Sequence, residues 1–154
     1  MLTICTNLTN AQQKKSIDFA ISPGIIFQNQ TFGEINVLVG HYENSHSGNA
    51  FGGVRIGMES NFKRGNENII APKIGVELSG LVICMRATAL TYFKNDEVQF
   101  NLLPELGVSF LGFANLTYGY SFNLSKVNIS GISNHKICLS INLNKKLIND
   151  VFTF

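Results

Sequence analysis

Residues 98–110 read Val-Gln-Phe-Asn-Leu-Leu-Pro-Glu-Leu-Gly-Val-Ser-Phe, and after Leu111-Gly112 residues 113–124 read Phe-Ala-Asn-Leu-Thr-Tyr-Gly-Tyr-Ser-Phe-Asn-Leu. By parity, Gln99, Asn101, Glu105, Gly107 and Ser109 oppose Val98, Phe100, Leu102, Pro104, Leu106, Val108 and Phe110. In the second stretch Asn115, Thr117, Gly119, Ser121 and Asn123 oppose Ala114, Leu116, Tyr118, Tyr120, Phe122 and Leu124. A repeat of two places alternate side chains on opposite faces of a strand, which is a pattern no helix presents. The bend at Leu111-Gly112 leaves room only for a hairpin, so the two stretches are predicted to be antiparallel neighbours.

The same alternation extends through the chain and predicts eight strands, at 17–27, 31–42, 51–62, 69–80, 82–93, 98–110, 113–124 and 132–143. The connections at 28–30, 43–50, 63–68, 79–81, 94–97, 111–112 and 125–131 are short and rich in Asn, Gly, Ser and Lys, so sequence neighbours should pair. The expected fold is all-β, an eight-stranded antiparallel up-and-down barrel forming one domain over 12–143, with a tail at 144–154. Residues 1–11, a short apolar stretch followed by polar and small residues ending at Ala11, read as the remnant of a signal peptide.

Of the 154 residues, 14% are charged and 45% apolar, with a formal net charge of +2. Low charge with ordinary apolar content excludes a disordered chain, and the weak net charge argues against nucleic acid as a partner. The few charges are sorted. Asp18, Glu34, Arg55, Glu59, Lys73, Glu77, Arg86, Glu105 and Lys136 are the charged residues inside the predicted strands, and all nine fall on the polar face. The remaining charges fall in turns or tails.

Alternation alone does not say which face meets water. Four features favour an apolar exterior around a polar lumen. The polar face carries Gly24, Gly40, Gly53, Gly57, Gly75, Gly107 and Gly119 with many Asn and Ser, small residues that suit a narrow interior. The five acids and four bases nearly balance, as buried charges must. Phe19, Phe27, Phe62, Phe93, Phe100, Phe110 and Phe122 lie toward strand ends on the apolar face, where an interfacial girdle belongs. Strands of this length also cross a bilayer when tilted, and closure leaves no strand edge in lipid. The alternatives are a soluble barrel binding a lipid-like or other apolar ligand inside, and a sandwich.

With this arrangement the chain, from Ile17 to Leu143, resembles the small eight-stranded bacterial outer-membrane β-barrel proteins, the class of the OmpA membrane domain and OmpX. The resemblance is one of pattern and carries no short diagnostic motif. It implies location in the outer membrane, the lipid bilayer and the outer-membrane assembly machinery as partners, and a monomer. It also implies that connections 28–30, 63–68, 94–97 and 125–131 face outward and that 43–50, 79–81 and 111–112 face the periplasm. The first pair departs from the class pattern, because 28–30 is shorter than 43–50. The class also implies a last strand ending in an aromatic; Phe152 and Phe154 close the chain, but Lys145, Lys146 and Asp150 interrupt the alternation before them.

Little in the sequence carries catalytic chemistry, and the expectation is a non-enzymatic protein without a cofactor. His41, His46 and His135 are scattered and match no metal-ligand spacing. Cys84 and Cys138 lie on non-neighbouring strands and are expected to be free thiols. Ser133 and His135 share a face near the end of the last strand, so a His-activated hydroxyl, as in lipid A-modifying barrels, is a minor alternative. The nine strand charges are expected to form a structural salt-bridge lattice rather than a selective pore, since eight strands leave an interior that side chains mostly fill.

Overall fold

The structure, a computed structural model, describes residues 17–45, 48–80 and 82–144. The segment 1–11 and the tail from 145 onward, with Phe152 and Phe154, lie outside the described residues. The strands are β1 (Asp18–Phe27), β2 (Thr31–Ser45), β3 (Gly48–Ser60), β4 (Ile70–Gly80), β5 (Ile83–Lys94), β6 (Glu97–Phe110), β7 (Ala114–Tyr120), β8 (Phe122–Asn123) and β9 (His135–Ile141). Both β7 and β8 pair with β6 and form one stave, interrupted at Ser121, whose N–H donates to the Asn134 carbonyl at 2.6 Å. β9 pairs with β7 on one side and β1 on the other, which closes the sheet into an eight-staved, wholly antiparallel up-and-down barrel.

The register fixes its dimensions. From Asp18 the cross-strand partners run Gly40, Gly53, Glu77, Arg86, Glu105, Gly119 and Lys136. Lys136 then faces Gln28, the position after the Phe27–Ile137 pair, so one circuit returns to β1 ten residues from its start. Eight staves with a stagger of ten give a strand tilt of about 40° and a backbone radius of roughly 8 Å at ordinary strand spacing. Such a barrel has a narrow interior with room for side chains and little else.

The barrel's polarity is that of an apolar exterior. The outward side chains Phe19, Ile21, Ile35, Ile56, Val76, Leu106 and Leu139 are exposed, Leu106 to 61%, whereas Arg55 and Glu59 are buried at 1% and 0%. Phe27, Phe93, Phe100 and Phe122 ring the outside near one end, and Phe19 and Phe110 the outside near the other.

The two ends differ. At one, the loop end, connections 28–30, 61–69, 95–96 and 124–134 join the staves. At the other, the turn end, β2 pairs with β3 up to Ser45–Gly48, β4 with β5 up to Gly80–Ile83, and the chain reverses at 111–113. Leu111 and Gly112 adopt φ of 51° and 75°, and the Phe113 N–H donates to Phe110 at 2.9 Å, a tight reversal made by left-handed residues.

Three predicted boundaries are corrected. The polar run 43–50 is not a loop, because its residues continue the ladder to the Ser45–Gly48 pair; polarity was read as a break where β2 and β3 simply extend past the barrel body. This places Glu43 on the outward face of β2, beyond the body, and leaves 28–30 longer than the two residues between Ser45 and Gly48. The predicted last strand, 132–143, shortens to His135–Ile141, with an isolated bridge from Leu143 to Ile21. Correspondingly, the connection predicted at 125–131 runs over 124–134, because it folds back across the barrel mouth.

Both mouths are filled. At the loop end Ile26, Phe32, Ile69, Leu90, Tyr92, Leu103 and Ile129 form a buried cluster. Ile129 comes from the long connection, and its N–H is held by Gln99 Oε1 at 2.7 Å while Lys94 Nζ donates to Ser130 Oγ at 3.0 Å. At the turn end Ala20, Leu38 and Phe51 form a smaller cluster backed by Tyr42.

Candidate functional site

Between these clusters the lumen holds the charges. Eight of the nine predicted residues join in one chain of alternating sign that crosses the interior. Lys136 on β9 donates to Glu59 on β3 at 2.7 Å, and Lys73 on β4 meets the other oxygen of Glu59 at 3.2 Å. Lys73 also pairs with Glu34 on β2, which meets Arg55 on β3 at 3.3 Å. Arg55 continues to Glu77 on β4 at 3.1 Å, Glu77 to Arg86 on β5 at 2.9 Å, and Arg86 to Glu105 on β6 at 4.0 Å. Four bases and four acids alternate, and the chain carries no net charge. Asp18, the ninth, is buried near the turn end of β1.

Neutral groups complete the coordination. The Tyr92 hydroxyl donates to Glu59 at 2.6 Å, Thr117 to Glu105 at 2.9 Å, and Asn142 Nδ2 to Glu77 at 2.9 Å. Arg86 reaches across to Ser140 Oγ on β9 at 2.6 Å, and the Cys138 thiol donates to Glu34 at 3.3 Å. Buried ions in a low-dielectric interior persist only with this degree of pairing and hydrogen bonding.

The glycines make the chain possible. Asp18 faces Gly40 across the ladder, Glu34 faces Gly24, Glu77 faces Gly53, Arg55 faces Gly75, and Lys73 faces Gly57; Glu105 and Lys136 both face Gly119. A Cβ at Gly24 would lie 2.8 Å from Glu34 Oε1, and one at Gly119 would lie 2.7 Å from Glu105 Cγ. Seven of the nine charged side chains therefore lie over a residue that has none; Glu59 and Arg86 do not.

The remaining candidates fall out differently. Cys84 and Cys138 are free thiols, both buried. Among the described residues no cluster of His, Cys, Asp and Glu could hold a metal ion. Ser133 and His135 do not form a dyad through the ring, because Ser133 Oγ accepts the His135 backbone N–H at 3.1 Å. The imidazole Nδ1 instead lies 2.6 Å from the Tyr118 hydroxyl, on the outward face. Sequence reasoning missed the inward apolar residues Phe32, Leu38, Leu90, Tyr92 and Leu103. Their one signal was parity, since Leu90 and Tyr92 share the side of Arg86, and Leu103 that of Glu105.

Compared with protein families, curated proteins and solved structures, the chain matches none. The functional reading therefore rests on geometry.

Proposed function

We propose that the protein is a non-enzymatic outer-membrane β-barrel, monomeric in the bacterial outer membrane, whose lumen is sealed by a structural ion chain. In this reading any interaction role belongs to the loop-end connections, with the bilayer and the barrel-assembly machinery as partners. One observation carries it: the outward face of the barrel body is an apolar surface, while eight charges of the body are sequestered inside as a neutral chain. A water-soluble barrel would bear the cost of exposing that surface, whereas lipid removes it. Seven of the eight staves run ten residues or more, and ten residues tilted by about 40° cover the roughly 25 Å apolar band of such a membrane; β9 is shorter, at seven residues, with one further bridge at Leu143.

The ion chain between two apolar clusters supports a sealed structural core rather than a conducting pore. The same filling favours lipid outside the barrel over an apolar ligand inside it. The test is refolding of the full chain into detergent micelles. The expected result is a monomer that migrates faster on a gel unheated than boiled and that precipitates without detergent. A chain that stays monomeric and folded in plain buffer would overturn the reading.

A further inference from the structure

The outward face is not uniformly filled. Two depressions lie on either side of the exposed Leu78–Met85 pair. The turn-end one, about 530 Å³, lies over Gly52 and Ile83 and is bordered by His41 and Glu43; the loop-end one, an apolar furrow of about 600 Å³, lies over Ala87 and Pro104 and ends against Tyr118 and Tyr120. The furrow exists because its floor lacks side-chain bulk: Ala87 and Pro104 are cross-strand partners, in register with Val76 and flanked by the row Leu78, Met85 and Leu106. From β4 to β7 it crosses three interstrand spacings, roughly 14 Å, a span that takes the larger part of an extended acyl chain. Arg86 and Glu105 also border it, but their charged ends turn inward to the ion chain.

The loop-side end of the furrow is polar. Tyr118, which lines it, is hydrogen-bonded to His135 at 2.6 Å, and Tyr120 packs edge-on to the same imidazole with ring centroids 5.1 Å apart. Asn134 Nδ2 reaches the Tyr120 hydroxyl at 3.5 Å. An apolar channel that ends in hydroxyl and imidazole groups has the polarity of one glycerolipid, chain first and oxygen-rich head last.

We infer that this furrow is a binding site for a single acylated glycerophospholipid, its chain over Ala87 and Pro104 and its head group at Tyr118, Tyr120 and His135. The inference rests on the membrane reading above. A pocket of several hundred Å³ lined by apolar side chains, with a few convergent polar groups, is the usual form of a small-molecule site.

The experiment uses the full chain refolded in detergent micelles with palmitoyl-oleoyl phosphatidylglycerol, and native mass spectrometry to read the fraction carrying one lipid. The wild type is expected to retain one lipid at low lipid-to-detergent ratio. Ala87→Phe, which fills the floor, should lower that retention about tenfold or more, as several methylenes lose their burial. Val37→Phe, on β2 away from the furrow, should leave retention unchanged; Tyr118→Phe with His135→Ala should reduce retention of the phospholipid but not of the corresponding diacylglycerol. Heat-modifiable migration reports whether each variant folds. Folded, detergent-dependent protein that retains lipid equally in wild type and Ala87→Phe, or retains none at all, overturns the furrow and leaves the membrane reading standing. Failure of that reading would show separately, as a monomer in plain buffer.

Discussion

Glu59 is the residue whose loss would strand the most charge, because Lys136, Lys73 and Tyr92 all converge on its carboxylate. Glu59→Gln is expected to lower unfolding stability by about 3–5 kcal/mol, the cost of leaving a buried ion without its partner, measured by urea unfolding in micelles. Arg86→Ala should cost a few kcal/mol for the same reason, and Glu105→Ala less, because its contact with Arg86 is 4.0 Å and Arg86 keeps Glu77. Equal and negligible losses at all three would remove the ion chain as a source of stability. At Gly53 a Cβ would sit 2.4 Å from the Val39 carbonyl oxygen, which is backbone and cannot swing aside. Gly53→Ala should therefore destabilise by about 1–3 kcal/mol through strain, read in the same titration. Parity placed all nine strand charges on one face, but that seven of them face particular glycines depends on strand register, which parity does not contain. Phe32 and Leu38 stayed hidden because a polar-or-apolar reading has no slot for an apolar residue that closes a polar lumen.

Among the elements, the connection 124–134 has the most to do with closure. Ile129 is buried among Ile26, Phe32, Ile69, Leu90 and Tyr92, although it lies in no strand. Ile129→Ala should cost about 2–4 kcal/mol, as removing buried methyl groups from a packed site does, and should speed amide hydrogen exchange at Gln99 and Asn101 more than in β2. Uniform exchange across both would mean that the connection does not hold the mouth. Strand number, order and most boundaries were legible from alternation, because a two-residue repeat survives wherever one face is lined differently from the other. The exceptions are the places where that contrast lapses. The 43–50 run is polar on both faces, so its pairing cannot be told from a loop, and Ile132–Asn134 alternates without pairing because Ile129 and Ile132 are drawn into the mouth.

For the molecule as a whole, the membrane reading makes a prediction opposite in sign to that of a soluble protein. Val76→Arg or Leu106→Arg places a charge on the outward apolar face. In lipid vesicles either is expected to lower stability by about 2–4 kcal/mol near the bilayer midplane, read as a shift in the urea midpoint of folding into vesicles. In water the same changes would be neutral or would improve solubility, and that outcome would count against a bilayer around the barrel. The inside-out sorting was legible from the small residues and near-balanced charges of the polar face, since parity alone fits a wet polar face equally well. The furrow was not, because its floor, Ala87 beside Pro104, depends on the register of β5 against β6, which alternation does not contain.

The path of the ion chain also bears on the order in which the barrel is built. Its first link, Lys136 to Glu59, joins the last strand to the third across the lumen, and Arg86 meets Ser140 over a similar gap. A sheet complete through β8 holds all four acids of the ion chain but only three of its bases, so the ion chain carries one unmatched negative charge. Arrival of the final strand supplies the missing cation in the same step that removes the last open edge. Completion of the ion chain and ring closure are one event, so a barrel one strand short has an electrostatic reason, as well as an unpaired edge, to wait for its end.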